Sequence, residues 1–278
     1  MPGLAKPRGK KVVKEVPLNP LETFQGSKMD RLQQLYSKWY GCTRCSLGEL
    51  RACTGSKEIV FGEGNPDANI LIVGEAPGEE EEATNLPFVG KAGQLLNQIL
   101  AFTSADPEIR KMQDDYSKVS HSDYNLKKIK SYHQVIEEWR HNEFFITNAV
   151  SCRPPENGTP TAEHIKQCWE RLWNIIYIVD PWLIVACGNS ALSAVMRKVQ
   201  VKISAARGHI YDVEYQGHVG PVTYPVIPVF HPSYLLRKAD WKVSGGDYEK
   251  TVKDWRMALK AVDFLRDKHQ GIPAPKRG

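Results

Sequence analysis

Three groups of polar residues each follow a stretch of the chain that is predicted to be a buried strand. Gly74-Glu-Ala-Pro-Gly78 follows the first strand, Asn148 ends the second, and His231-Pro-Ser-Tyr-Leu-Leu-Arg237 follows the last. In a sheet of parallel strands, the ligand site lies at the carboxyl ends of the strands. A turn rich in Gly and Pro, or a single His after a strand, is more often structural than catalytic. Three such groups at one edge of a sheet nevertheless predict a binding site there.

The spacing of the six cysteines is more informative than their number. They form a close pair, a wider pair and two single residues: Cys42 with Cys45, Cys152 with Cys168, and Cys53 and Cys187. Six cysteines are few for a secreted chain of this length, so a disulfide framework is a poor explanation. The pattern instead predicts a chain that works in a reducing, cytoplasmic compartment.

Four apolar segments are predicted to be the strands that position the polar groups, and helices alternate with them. The segments are residues 69–73, 144–148, 182–186 and 226–230. The helices are predicted at residues 28–40, 92–102, from 161 onward, from 190 onward and at 248–265. This alternation predicts an α/β fold, a three-layer α/β/α sandwich around a mainly parallel four-stranded sheet.

The chain is predicted to form a single domain over residues 28–268. Residues 1–27 are rich in Lys, Pro and Gly and predict a flexible basic tail, and residues 269–278 form a short C-terminal tail. Residues 104–141 are polar and longer than a typical connection, so we expect them to be an insertion on the surface.

Composition and charge exclude several classes of protein. Of the 278 residues, 41% are hydrophobic and 25% are charged, which is ordinary for a soluble enzyme and rules out a disordered chain, a collagen or a coiled coil. No apolar stretch approaches the ~20 residues of a membrane span, and the N-terminus lacks the apolar core of a secretory signal. The net charge of +5 does not prove nucleic-acid binding, although basic tails can neutralise phosphates.

Five motifs of the chain are informative when they are taken together and in order. They are Val60-Phe-Gly-Glu-Gly-Asn-Pro-Asp67, Gly74-Glu-Ala-Pro-Gly78, Pro87-Phe-Val-Gly-Lys-Ala-Gly-Gln-Leu-Leu96, Thr147-Asn-Ala-Val-Ser-Cys-Arg-Pro-Pro155 and His231-Pro-Ser-Tyr-Leu-Leu-Arg237. In sequence and in order they resemble the motifs of the family 4 uracil-DNA glycosylases, which carry a four-iron, four-sulfur cluster. The resemblance runs from about Leu32 to Leu265, with residues 104–141 outside it. It implies a uracil-DNA glycosylase-like fold and an enzyme of base excision repair that flips uracil out of DNA, hydrolyses its N-glycosidic bond and leaves an abasic site.

The resemblance also implies that four cysteines bind a [4Fe–4S] cluster. The four are Cys42, Cys45, Cys152 and Cys168. Four thiolates suit Zn²⁺ as well as a [4Fe–4S] cluster, and spacing alone does not separate the two, but the resemblance favours the cluster. We expect it to hold together the loops that contact DNA, and a redox-sensing role stays open. Cys53 and Cys187 are expected to pack as small hydrophobic residues.

A uracil pocket is a further implication of the resemblance. Phe88 would stack on the flipped base, and Asn148 would match O4 and N3 of uracil while rejecting cytosine. His231 would donate a hydrogen bond to O2 as negative charge develops there. The backbone of the loop from Gly74 to Gly78 would shape the site of the attacking water.

The first loop lacks a carboxylate that the better-known uracil glycosylases use to hold the water. The matching position is Ala76, which cannot act as a base, so Glu75 is the nearest carboxylate. Gly78 stands where other families have a bulky Tyr that excludes thymine, and Glu81 is a candidate for blocking the thymine methyl group instead. Asn85 stands where the family usually has Gly, but Asn tolerates a positive φ better than most residues.

DNA is the implied partner of a monomeric enzyme, and six residues are candidates for contacting it. Tyr234 and Leu235 would enter the gap that the base leaves. The candidates for phosphate contacts are Lys202, Arg207, Arg237 and Lys238. The insertion or the basic N-terminal tail could bind a protein partner.

Three hypotheses for function stay open at this point. The first is an active uracil-DNA glycosylase. The second is a DNA-binding accessory module of a replication assembly that keeps the fold but has weak or no catalysis. The third is a relative that acts on another deaminated base, such as hypoxanthine. The presence of Phe88, Asn148 and His231 together favours activity.

Overall fold

The centre of the protein is a sheet of parallel strands, and the computed structural model confirms the predicted α/β fold. The structure describes residues 11–13, 23–118, 126–198, 202–218, 220–238 and 244–269. The central strands, in spatial order, are β7 (Pro221–Val229), β5 (Leu183–Cys187), β3 (Ile70–Gly74) and β4 (Phe144–Asn148). All neighbouring pairs among these four are parallel, and they correspond to the four segments that the sequence predicts.

Within the described part of the chain, three further strands extend this sheet to seven, and the sequence does not predict them. On one side β6 (Tyr211–Gln216) runs antiparallel to β7, and β1 (Lys11–Val13) runs parallel to β6. On the other side β2 (Glu63–Gly64) runs antiparallel to β4. Strands at or near an edge are short or only half-buried, so they lack the continuous apolar run that reveals a central strand.

The register of the central strands brings their carboxyl ends together. Every residue of β3, β4 and β5 is buried, as expected for parallel strands covered on both faces. Gly74 pairs with Asn148, and Cys187 pairs with Val229. The loops that follow β3, β4 and β7 therefore start at one edge of the sheet, where the sequence predicts a binding site.

Eleven helices are present among the described residues. They are α1 (Lys28–Trp39), α2 (Ser46–Cys53), α3 (Glu79–Thr84), α4 (Lys91–Thr103), α5 (Pro107–Ser117), α6 (Leu126–Glu143), α7 (Ala162–Val179), α8 (Gly188–Met196), α9 (Ile203–Ala206), α10 (Pro232–Leu236) and α11 (Asp247–His269). Within this part of the chain, no helix combines the length and the apolar character that a membrane span requires.

The segment predicted as an insertion, residues 104–141, is largely helical. It contains α5 and most of α6, and residues 119–125 between them lie outside the described residues. Ile109, Tyr132 and Ile136 form a small core with Ala101 of α4. The predicted tails lie mostly outside the described residues, although β1 falls within residues 1–27.

Candidate active site and four-cysteine site

Gly74, Phe88 and Asn148 meet at the carboxyl end of β3. A Cβ atom on residue 74 would lie 2.2 Å from Oδ1 of Asn148 and 2.6 Å from Cε2 of Phe88. The amide and the aromatic ring are therefore in contact with the same glycine, and only Gly leaves room for both. Phe88 and Asn148 are almost completely buried. The structure thus brings together two of the residues that the sequence assigns to a base pocket.

His231 lies beside this pair, at the N-terminal end of α10. The centroid of its ring is 5.7 Å from that of Phe88. Gly188, at the start of α8, lies close to His231. A Cβ atom added to residue 188 would be 3.1 Å from Cβ of His231, and the φ of Gly188 is 89°. The side chains of Phe88 in the loop after α3, Asn148 at the end of β4 and His231 after β7 therefore lie around Gly74 at the end of β3.

The hydrogen bonds of His231 assign its tautomer. Nδ1 accepts the backbone N–H of Ser233 at 3.2 Å and lies 2.8 Å from the Ser233 hydroxyl oxygen. The proton of a neutral ring is therefore on Nε2. Burial and the nearby charge of Arg237 lower the pKa of His231 to about 4. At neutral pH this side chain is an uncharged imidazole, and its Nε2–H has no hydrogen-bond partner among the described residues.

The loop after β3 is held by hydrogen bonds to its neighbours. The carbonyl of Gly74 accepts the N–H of Ala149 at 2.9 Å, and the carbonyl of Glu75 accepts the N–H of Val150 at 3.2 Å. Oε2 of Glu75 accepts the hydroxyl of Ser190 at 2.6 Å. Ala76 is half-buried and packs against the core. The only carboxylate next to Ala76 in sequence therefore already has a hydrogen-bond donor.

Glu81 has a structural contact that the sequence did not reveal. Its Oε1 accepts the N–H of Gly90 at 2.8 Å, and its Oε2 accepts the N–H of Gly78 at 3.0 Å. The buried carboxylate therefore connects the loop after β3 to the loop that carries Phe88. Asn85, at the end of α3, has φ of 58°, so Asn does take the left-handed conformation here.

The four cysteines of the predicted cluster line a single cavity. Cys42 and Cys45 lie between α1 and α2, Cys152 follows β4, and Cys168 lies in α7. Burial raises the pKa of Cys152 to about 11, and it also raises the pKa of Cys168. Nowhere in the described ranges do three His, Cys, Asp or Glu side chains come close enough together to hold a single metal ion.

Polar groups around this cavity suit a sulfur-rich, negatively charged group. Nε1 of Trp39 and Oγ of Ser151 are buried and have no hydrogen-bond partner among the described residues, and both residues line the cavity. The side chains of Arg51 and Arg171 are also buried, and they lie within hydrogen-bonding reach of Cys152 and Cys168 respectively. Burying two cations and two unpartnered donors lowers the stability of a protein unless a negatively charged or accepting group lies beside them. A [4Fe–4S] cluster is such a group, so the surroundings of the cavity fit it.

The two remaining cysteines differ from each other. Cys187 is completely buried at the end of β5, as predicted for a small hydrophobic residue. The same prediction is wrong for Cys53, which is exposed at the end of α2. Its helix is short, and the residues of that helix that are buried are Leu47, Gly48 and Arg51, which leaves Cys53 on the exposed side.

The candidates for phosphate contacts fall into two groups. Lys202 and Arg237 are exposed, and Arg237 donates to the hydroxyl of Ser233 at 3.1 Å. Arg207 and Lys238 form ion pairs instead, with Asp254 at 2.8 Å and with Asp247 at 2.6 Å. Only the first group presents cations without a carboxylate partner among the described residues.

The prediction that Leu235 enters DNA is wrong. Leu235 is completely buried, because the single turn of α10 turns its side chain into the core. Tyr234 is half-buried, stacks on Phe230 at 4.9 Å and donates its hydroxyl to Asp247 at 2.9 Å. The next residue, Leu236, is 41% exposed. Nothing in the sequence distinguishes two adjacent leucines before the helix is known.

Comparison with known proteins identifies the family. The family model described as the uracil DNA glycosylase superfamily matches residues 61–256. The chain is 36% identical to the type-4 uracil-DNA glycosylase of Thermotoga maritima over 196 residues, 70% of this chain and 78% of that protein. It is 30% identical to the type-4 enzyme of Pyrobaculum aerophilum over 221 residues, 80% of this chain and 91% of that protein. It is 28% identical to that of Archaeoglobus fulgidus over 228 residues, 81% and 92% of the two chains. These matches cover most of the chain, and the parallel sheet agrees with them. The chain therefore belongs to the uracil-DNA glycosylase superfamily and, within it, to the type-4 enzymes.

Proposed function

We propose that the protein is a uracil-DNA glycosylase that flips uracil out of DNA, hydrolyses its N-glycosidic bond and leaves an abasic site for base excision repair. The observation that carries this proposal is the meeting of Phe88, Asn148 and a neutral His231 in a chain of this family. These side chains supply an aromatic surface, an amide and an uncharged donor. They are the groups that recognition of uracil and departure of its anion require.

Phe88 and Asn148 form the part of the pocket that recognises the base. The Phe88 ring stacks on the flipped uracil, and the Asn148 amide donates to O4 and accepts from N3–H. Cytosine has a donor in place of O4 and an acceptor at N3, so it would leave the amide mismatched. Contact with Gly74 fixes the amide and the ring relative to each other. The carboxylate of Glu81 accepts the N–H groups of Gly78 and Gly90 and so holds two loops of the pocket together. In this position it excludes thymine, because the methyl group of thymine needs more room.

His231 stabilises the leaving group. As the glycosidic bond breaks, negative charge develops on O2 of uracil, and Nε2–H of His231 donates to that oxygen. The low pKa means that no proton must be lost or gained before this hydrogen bond forms. One donor of this kind typically contributes roughly 2.7–4 kcal/mol to transition-state stabilisation.

The attacking water is held without a carboxylate at position 76. Ala76 cannot accept a proton, and the carboxylate of Glu75 accepts the hydroxyl of Ser190. Backbone groups of the loop from Gly74 to Gly78 orient the water. Because the sugar becomes an oxocarbenium-like cation as uracil leaves, a weak nucleophile suffices once the leaving group is stabilised.

Cys42, Cys45, Cys152 and Cys168 would hold a [4Fe–4S] cluster. Its iron–thiolate bonds would join the segment before α2, the loop after β4 and helix α7. Arg51 and Arg171 would offset the negative charge of the cluster, and the unpartnered donors of Trp39 and Ser151 would be available to its sulfur atoms. An iron–thiolate protein of this kind works in the reducing interior of the cell.

DNA is contacted by the surface around α10 and α9. Lys202 and Arg237 neutralise phosphates. Leu236, which is exposed, enters the gap that the flipped base leaves, in place of the buried Leu235 that the sequence analysis named for this role. Arg207 and Lys238, which are paired with carboxylates, support this surface rather than bind phosphate themselves.

The proposal is tested by incubating the purified protein with oligonucleotides that contain one uracil, thymine or hypoxanthine, followed by alkaline cleavage of abasic sites. Cleavage of the uracil strand alone is the expected result. Binding to DNA without cleavage of any strand would support the accessory-module hypothesis. Cleavage of the hypoxanthine strand in preference to uracil would assign the pocket to another base.

A further inference from the structure

The side chain of Arg140 connects the inserted segment to the base pocket. Arg140 lies near the end of α6 and is 3% exposed. Its Nη1 donates to the backbone carbonyl of Phe88 and to Oδ1 of Asn97, both at 3.1 Å. Its Nη2 is 2.6 Å from Oε1 of Glu63 on β2. One buried cation therefore joins α6, α4 and an edge strand to the residue that stacks on uracil.

The backbone of Phe88 needs such support. Phe88 has φ of 57°, in the left-handed region that a bulky side chain rarely occupies. Its carbonyl is also packed closely against α4, because a Cβ on Gly93 would lie 1.7 Å from the Phe88 oxygen. This conformation directs the ring towards Gly74 and Asn148. A charged donor on the carbonyl holds the peptide in the orientation that the pocket requires.

The charge of Arg140 is balanced within the same cluster. Burial lowers the pKa of the guanidinium, whereas the adjacent carboxylate of Glu63 opposes that effect. Glu63 is itself mostly buried, and Asn97 is 2% exposed. The side chains of Arg140, Glu63 and Asn97 therefore form a buried polar network, and this network holds the carbonyl of Phe88, whose ring lies in the pocket.

We propose that Arg140 is a positioning residue for uracil recognition, acting through the carbonyl of Phe88. The segment 104–141, which the sequence predicts to be a surface insertion, is then part of the support of the active site. The inference rests on the proposed function, because it takes Phe88 as the surface on which uracil stacks.

The test combines single-turnover kinetics with a double-mutant cycle. Arg140→Met should lower the rate of uracil excision about 10- to 100-fold, as expected when a reacting group is displaced by about an ångström. Arg140→Lys should recover part of the loss, since an ammonium can still donate to the carbonyl. If Arg140 acts through the Phe88 ring, Arg140→Met should cost little further activity in a Phe88→Ala background. Arg110→Met is the control for loss of an arginine elsewhere in the same segment, because Arg110 is exposed and donates to the carbonyl of Ser104 rather than to the pocket.

A second readout is independent of catalysis. With 4-fluorophenylalanine incorporated, the ¹⁹F resonance that disappears in Phe88→Tyr reports the environment of this ring. It should shift or broaden in Arg140→Met and stay unchanged in Arg110→Met. An unchanged resonance in Arg140→Met would overturn the inference, as would equal losses of activity in the wild-type and Phe88→Ala backgrounds. Absence of uracil excision by the wild-type protein would contradict the proposed function alone, and the resonance would still decide the role of Arg140.

Discussion

At the scale of single residues, Asn148 is the group on which base choice depends. Asn148→Ala removes both hydrogen bonds to the uracil edge, so excision should fall by roughly 10²-fold or more, the effect of losing one transition-state donor. The measurement is the single-turnover rate on a uracil-containing duplex. Asn174→Ala is a matched control, because Asn174 is equally buried but lies in α7 and donates to the carbonyl of Glu170. A normal rate of uracil excision by Asn148→Ala would show that Asn148 does not recognise the base.

The protonation of His231 predicts how stability and activity depend on pH. Its pKa is lowered to about 4 in the folded protein, below the usual value of about 6.5. Its contribution to stability is therefore fully present above pH 6.5 and is lost as the pH falls towards 4, because the unfolded chain binds the proton more readily. The free energy of unfolding should fall more steeply across this range in the wild type than in His231→Gln. Activity should show no step from His231 between pH 6 and 8, and a step there that is absent from His231→Gln would contradict the assigned neutral form.

At the scale of structural elements, the four-cysteine site predicts a bound iron–sulfur cluster. Freshly purified protein should be brown, with broad absorption near ~400 nm from iron–thiolate charge transfer. Cys152→Ser should lose the colour, the iron and much of the soluble protein. Cys53→Ser should keep all three, because Cys53 is exposed and lies outside the cavity. Colourless protein with one Zn²⁺ per chain would overturn the iron assignment.

The elements that the sequence predicted well are those whose burial is continuous. The strands that contain Ile72, Ile146 and Val185 are apolar at nearly every position, so their place in the sheet and the edge where they end could be predicted. Strands β1, β2 and β6 are short or half-buried, and they could not. The side of α10 that faces the core could not be predicted either, so the sequence does not distinguish the buried Leu235 from the exposed Leu236.

The polar contacts between elements were equally hard to predict. Glu81 reads as one of four consecutive glutamates, and nothing local shows that its two oxygens hold two separate loops. Arg140 lies in a polar segment that resembled a surface insertion, yet it contacts a residue 52 positions away. Such pairs depend on the packed arrangement of distant segments, and a single sequence does not contain that information.

At the scale of the whole molecule, the modest net charge predicts that DNA binding depends on a few local cations. Lys202→Ala and Arg237→Ala should each weaken binding to any DNA sequence and reduce the slope of log K against log salt by about 1. Lys260→Ala is the control. Lys260 is exposed on α11 next to Leu259, which lines a cavity with Asn69 at the opposite end of β3. Unchanged salt slopes for both variants would place the DNA-binding surface elsewhere.

The measurement that tests the account most directly is single-turnover excision of uracil by His231→Ala and Ala76→Asp, each compared with the wild type at equal metal content. If stabilisation of the uracil anion drives the reaction, His231→Ala should lower the rate by at least about 10²-fold. Ala76→Asp should leave the rate intact or raise it, since a carboxylate there can orient water and offset the cationic sugar. Loss of excision in Ala76→Asp together with normal excision in His231→Ala would contradict this division of roles.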